Sequence, residues 1–196
     1  MKWLSIVLFV FLASCTNPGK ELGLSEAIGG KTFDRQGNYL VGPNDTIYIR
    51  VIEHRAITGE YVVSQSGEVS IPLVGSVFVA GHSETELKTI FIKTLRPYIK
   101  RPKVSVAVRG YNSYKVYIFG DVRNPGVYNF TEKTSILQGI STAGGLNEFA
   151  SGIIVLHRPD KKGRVLRYKA NFDEISAGYK KYNEFVLERG DVLQVD

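Results

Sequence analysis

Most of this chain is written in short alternating runs cut by Gly, Pro, Asn and Asp, and one stretch shows sustained helical spacing. In residues 46–52, Ile47, Ile49 and Val51 alternate with Tyr48 and Arg50. Successive strand side chains point to opposite faces, so this pattern predicts a strand with one buried face. Val104, Val106 and Val108 repeat it. Residues 60–64 and 68–71 flank Gln65, Ser66 and Gly67, which reads as a hairpin turn. Residues 72–75, from Pro72 to Gly75, are expected to break that pairing, and 77–80 to resume it. Ser83 and Glu86 have capping-box spacing: the hydroxyl takes the amide three residues on, and the carboxylate reaches back. Leu87, Ile90, Phe91 and Leu95 follow at helical spacing, and Pro97 ends the run. Residues 39–109 are thus expected to form a strand-rich α+β unit with one helix.

A second unit is expected over residues 114–196. Residues 115–119 read as a strand, followed by a turn at Arg123, Asn124, Pro125 and Gly126, in which Pro125 fixes φ and Gly126 supplies a positive φ. Thr134 can cap a helix carrying Ile136, Leu137, Ile140 and Ala143, which Gly144 and Gly145 end in the left-handed conformation. Residues 153–156 and 165–168 read as strands and 172–175 as a short helix. Residues 185–187, a turn at 188–191 and residues 192–195 are expected to close the chain as a hairpin. Strands around one helix give a β-grasp-like α+β layout.

The N-terminus is of a different kind. Residues 3–13 are apolar except Ser5. Eleven residues are too few for a spanning helix, which needs about 20, and suit a signal-peptide core. The run ends in Leu12-Ala13-Ser14-Cys15 and turns polar at Thr16 and Asn17. Cys15 is the single cysteine, so no internal disulfide, zinc knuckle or CxxC site is available. The sequence around Cys15 resembles the lipobox of bacterial lipoproteins. That resemblance implies residues 1–14 as a cleaved signal peptide, a diacylglycerol thioether on the Cys15 thiol and an acyl chain on its new amine. Thr16 rather than Asp after the cysteine implies the outer membrane. Residues 15–38, rich in Gly, Ser, Asn and Lys, are expected to form a lipidated tether, with structure beginning at Tyr39.

Several motifs in order carry a second resemblance. Tyr39-Leu40-Val41-Gly42-Pro43-Asn44-Asp45 is similar to the opening signature of the polysaccharide biosynthesis/export family, with Asn44 where a Gly is common. Gly67 to Gly75, with Pro72, resembles its hairpin. Gly120-Asp121-Val122-Arg123-Asn124-Pro125-Gly126 resembles the start of the soluble-ligand-binding β-grasp (SLBB) repeat. Gly144, Gly145, Gly190 and Asp191 fit its later marks. The family is that of Wza-type outer-membrane polysaccharide export lipoproteins. The resemblance implies an export domain over 39–109 followed by one SLBB domain over 114–196. It also implies a homo-oligomeric ring facing the periplasm, an inner-membrane co-polymerase as partner, and a polysaccharide in transit. In the best-known members eight C-terminal helices form a pore; this chain ends at Asp196 without such a helix and is expected to be a short form.

No catalytic or metal-binding set is expected. His54, His82 and His157 are scattered, and no HExxH, GxSxG, GxxxxGK[ST] or GxGxxG occurs. The only cofactor-like groups expected are the acyl chains on Cys15. The formal charge is +6 without a separate basic arm, so no nucleic-acid partner is expected. Two basic clusters stand out: Lys93, Arg96, Lys100, Arg101 and Lys103; and Arg158, Lys161, Lys162, Arg164, Arg167 and Lys169. Each suits an anionic polymer, lipid head groups or an acidic partner face, or is a solvated surface. The expected function is therefore architectural, an export subunit without enzymatic activity. The alternative is a monomeric periplasmic lipoprotein that binds a glycan or other ligand.

Overall fold

The computed structural model describes residues 22–23 (backbone only), 32–160, 164–179, 182 and 185–196. Cys15, the expected signal peptide, most of the expected tether, Lys161 and Lys162 lie outside the described residues.

Strand β1 is the short pair Leu22–Gly23. Strand β2 (Thr46–Val51) buries Ile47, Ile49 and Val51, as its alternation requires. It is central in a three-stranded antiparallel sheet, between β3 (Gly59–Val62) and the later β6 (Val104–Gly110). Strands β4 (Glu68–Ile71) and β5 (Gly75–Phe78) form a separate hairpin. Here the structure departs from the sequence reading. Ser64 and Gly67 do make a turn, with the Gly67 amide donating to the Ser64 carbonyl. The segments on either side, however, pair with different partners: β3 with β2, and β4 with β5. Pro72 sits, exposed, in the β4–β5 turn rather than interrupting a strand, and Gly75 opens β5 at φ +84°. Gly67 is also left-handed, and a Cβ there would press on Ala80 and Phe78.

Helix α1 (Glu84–Leu95) carries the expected capping box, with the Ser83 amide donating to Glu86 at 2.8 Å. It buries Leu87, Phe91 and Leu95 on the side facing β6. Each fully buried residue of this size stabilises the fold by about 2 kcal/mol relative to exposure. These residues, with those of β2 to β6, form the first core.

The second core lies under a six-stranded mixed sheet. Its elements are β7 (Lys115–Gly120), β8 (Gly126–Asn129), α2 (Ile136–Thr142), β9 (Ile153–Pro159), β10 (Val165–Asn171), α3 (Phe172–Ser176) and β11 (Val192–Val195). The order is β1-β10-β9-β11-β7-β8. Two hairpins, β7–β8 and β9–β10, are joined through β11, which runs parallel to β7 and antiparallel to β9. The expected closing hairpin of 185–187 with 192–195 does not form; residue Val186 instead bridges Ser135. The fold is α+β, a strand-rich unit followed by a β-grasp unit.

Three local expectations are corrected. The α2 cap is Ser135, in a capping box with Gln138, while the Thr134 carbonyl receives the Leu187 amide. Gly126 is the first residue of β8 and does not have a positive φ; the left-handed glycine of this connection is Gly120. A Cβ on Gly120 would strike the Val195 carbonyl, so β11 approaches β7 that closely only because no side chain is there. Finally, structure begins before Tyr39: Thr32 is fully buried, Phe33 bridges Tyr39, and Phe33 packs against the second core.

Candidate functional site

Two turns meet where the units join. In residues 42–45 the Asp45 amide donates to the Gly42 carbonyl, and the Asp45 carboxylate accepts the Gly42 amide at 2.8 Å. In residues 188–191 the Asp191 amide donates to the Glu188 carbonyl, and the Asp191 carboxylate accepts the Glu188 amide at 2.7 Å. The third residue of each is left-handed: Asn44 at φ 71° and Gly190 at φ 81°. Asn tolerates that region better than other side chains, so Asn44 stands in for glycine at little cost. Each turn feeds a strand, β2 or β11.

Both aspartates are fully buried. Asp45 accepts the Tyr39 hydroxyl at 2.7 Å, the Ser113 amide at 2.7 Å and the Ser113 hydroxyl at 2.9 Å. It thereby ties the first turn to the linker into the second unit. Burial pushes the Tyr39 hydroxyl well above its ordinary range, so it stays a donor. Its ring packs against both cores.

Asp191 holds Arg158 through Nε at 2.8 Å and Nη2 at 2.6 Å, while Nη2 also donates to the Val186 carbonyl. Burial pulls the Arg158 pKa down, but the Asp191 hydrogen bonds and the charges of Asp191 and Glu188 outweigh it and hold the proton firmly. Arg158, expected in a surface basic cluster, is thus an internal counter-ion. Arg164 is also paired, with Asp160 at 2.7 Å, leaving Arg167 and Lys169 exposed.

The two turns are stitched together by the N-terminal segment. The Thr32 amide donates to Glu188 Oε2 at 2.8 Å, the Arg189 amide to the Thr32 hydroxyl at 2.9 Å, and the Leu40 amide to the Thr32 carbonyl at 2.8 Å. Burial raises the Glu188 carboxyl pKa. The Arg189 guanidinium lies over the Tyr39 ring and donates to the Leu40 carbonyl. A Cβ on Gly42 would occupy the place of Arg189 Nη1 and crowd Ser113. Gly42, Asp45, Gly190 and Asp191 therefore converge at one joint. Sequence reading missed Thr32, Ser113, Arg158, Glu188 and Arg189. The signal available was the likeness of 42–49 to 188–195: a turn ending in Asp, then alternating apolar residues.

The other motif residues lie elsewhere. Gly144 and Gly145 end α2 at φ 86° and 82°, and the Asn124 amide donates to the Ala143 carbonyl. This pins the turn before Pro125 and Gly126 against the helix end.

The sheet of the second unit has one face under α2 and α3 and one open. Tyr117, Phe119 and Val127 are 42%, 44% and 57% exposed on that open face. With Pro125 and Val192 they line a shallow hollow of about 590 Å³. Beside it lie Arg167 and Lys169, exposed on β10, and His157, whose Nε2 is 3.3 Å from Gln194 Oε1. Among the described residues no group of three His, Cys, Asp or Glu could hold a metal ion, and no helix is long and apolar enough to cross a membrane.

Comparison with known proteins agrees with this architecture. Residues 34–109 match the family model described as "Polysaccharide biosynthesis/export protein", and residues 115–169 match the SLBB domain. Relatives include "Exopolysaccharide production protein ExoF" of Rhizobium meliloti, 28% identical over 137 residues, 64% of this chain and 32% of the relative. "EPS I polysaccharide export outer membrane protein EpsA" of Ralstonia solanacearum is 31% identical over 88 residues, 44% of this chain and 23% of the relative. "Polysialic acid transport protein KpsD" of Escherichia coli is 30% identical over 124 residues, 63% of this chain and 22% of the relative. The chain thus spans a third or less of the length of these relatives. The chain thus carries a polysaccharide biosynthesis/export domain that leads directly into an SLBB domain, through the joint of Asp45 and Ser113.

Proposed function

We propose that this chain is a lipid-anchored periplasmic subunit of a polysaccharide export apparatus, held at the outer membrane through Cys15 and assembled as a ring. The observation that carries the reading is the succession of export and SLBB domains, welded at one joint. Rigid two-unit blocks suit a ring, because a head-to-tail contact closes only if each subunit repeats the same rotation. The open apolar sheet face supports it further: exposed Tyr, Phe and Val in one hollow suit a contact between subunits. The role is architectural. The subunits frame a hydrated passage aligned with an inner-membrane co-polymerase, and synthesis drives the polymer through. The relative named for polysialic acid transport favours an acidic polymer as cargo.

Deleting the gene should abolish surface or secreted polysaccharide while leaving its synthesis intact; normal output, with no second gene of the family present, overturns the reading. Native mass of the detergent-extracted protein should be a multiple of the subunit, and a single subunit would instead favour a monomeric ligand-binding lipoprotein. Cys15→Ser should release the protein from membranes or leave the signal uncut.

A further inference from the structure

The first unit has a hollow that the joint and the open sheet face do not use. Its volume is about 480 Å³, within the range of roughly 300–1,000 Å³ usual for small-molecule clefts. It lies where the β2–β6 ladder meets α1. Arg50 comes from β2, Lys88 and Ile92 from successive turns of α1, and Pro102 and Lys103 from the approach to β6. The ladder continues one bond past β2, since the Ile52 amide donates to the Lys103 carbonyl at 3.0 Å. That bond places apolar Ile52, half exposed, beside Pro102 and Ile92 as an apolar wall.

Three cations therefore line one hollow, and no carboxylate does. Among the described residues none of the three forms an ion pair. Glu84, one turn before Lys88, does not line the hollow and forms no ion pair with that lysine; its Oε1 accepts the Val108 amide at 2.7 Å. Unpaired like charges held together are mutually unfavourable, and a bound anion relieves that. A compact ligand with one anionic group and an apolar edge matches the arrangement, and an acidic sugar has both: a carboxylate or phosphate, and the C–H face of its ring.

We propose that Arg50, Lys88 and Lys103, with Ile52, Ile92 and Pro102, form a weak site for an acidic sugar unit, bearing carboxylate or phosphate, of the polymer in transit. The assignment of the ligand to the polymer rests on the export reading above; the anion site itself stands on the geometry. Weak binding is what transport would call for, since a tightly held unit would stall a moving chain. Three exposed cations in water give such binding, with a strong dependence on salt.

The test is a titration of the mature chain carrying Cys15→Ser, followed by amide chemical shifts, with glucuronate, inorganic phosphate and neutral glucose as probes. Saturable shifts centred on Ile52, Ile92 and Lys103 are expected with at least one anion and not with glucose. They should weaken about tenfold in the double variant Lys88→Gln/Lys103→Gln, and several-fold when salt rises from about 0.05 M to about 0.3 M. Both lysines are exposed, so an unchanged melting temperature is the control for folding. Glucuronate binding over phosphate assigns a carboxylated polymer; the reverse assigns a phosphorylated one. No saturable shift with either anion, equal shifts with glucose, or undiminished binding in the double variant overturns the site. Polymer output of the deletion strain is scored separately. Lost output without anion binding overturns this site alone, and anion binding with normal output overturns the export reading alone.

Discussion

Residues 42–45 and 188–191 share one backbone design and solve its electrostatics in opposite ways. Each buries an aspartate that accepts the amide three residues back. Asp191 is neutralised by a bidentate guanidinium from the neighbouring strand, inside one unit. Asp45 receives hydroxyls and amides from Tyr39, Gly42 and Ser113, and so reaches from one unit into the other. A buried carboxylate is costly unless satisfied, and either a cation or several oriented dipoles can satisfy it. The ion pair anchors a strand within a core. The dipole cage makes a joint, because its donors come from separate parts of the chain.

Substitutions can break this contrast, and their effects should fall in a definite order. Asp191→Ala leaves Arg158 buried without a counter-charge and should cost about 3–5 kcal/mol, read as a drop in the urea midpoint. Replacing Arg158 by Met as well should recover much of that loss. Asp45→Ala leaves the Gly42 and Ser113 amides without acceptors and should cost about 2 kcal/mol. Its distinguishing mark is local: amide exchange should rise at Gly42 and Ser113 while strands β7 and β11 stay protected. Equal loss of protection through both cores would mean that Asp45 is a core residue and not a joint. Gly190→Ala forces a Cβ into a left-handed position and should cost about 1 kcal/mol, whereas Asn44→Gly should stay within about 0.5 kcal/mol of wild type in the same unfolding assay.

The smallest effect concerns Glu188. Burial raises its folded-state pKa above the ordinary 4.5, so its favourable contribution is present below that value and is lost as pH rises through the raised pKa. Glu188→Gln keeps an acceptor for the Thr32 amide and removes the titration. Its stability should match wild type under acid conditions and exceed it at neutral pH, with the difference growing across the window just above pH 4.5. Thermal unfolding across that range checks the sign.

Much of the architecture was legible because it is local. The alternation of 46–51, the Ser83–Glu86 cap and the spacing of Leu87, Phe91 and Leu95 each need only neighbouring residues. What escaped is nonlocal. Strand β11 pairs with β7 across more than seventy positions, and no local pattern distinguishes that insertion from a closing hairpin. Residues 32–38 have no periodicity, since Thr32 is buried for its hydrogen bonds rather than its hydrophobicity. Of the candidate motif residues, Gly42 and Asp45 were visible as a signature, but their purpose depends on Arg189 and Ser113, which only folding brings near. Arg158 was misread because a cation's sequence neighbours do not reveal which face of a strand it occupies.

The seam at Thr32 also has a consequence in time. Its partner Glu188 lies 156 positions further along the chain. A ribosome adding about 5–20 residues per second needs roughly 8–30 s to travel from one to the other. Through that interval the amino-terminal half waits without the residue that fastens it, and a chain broken off early never receives it. Products that stop short of Glu188 should therefore present residues 32–39 to proteases as an unburied strip, while Val41 stays held by its bonds to Gly81 and His82 within the first unit.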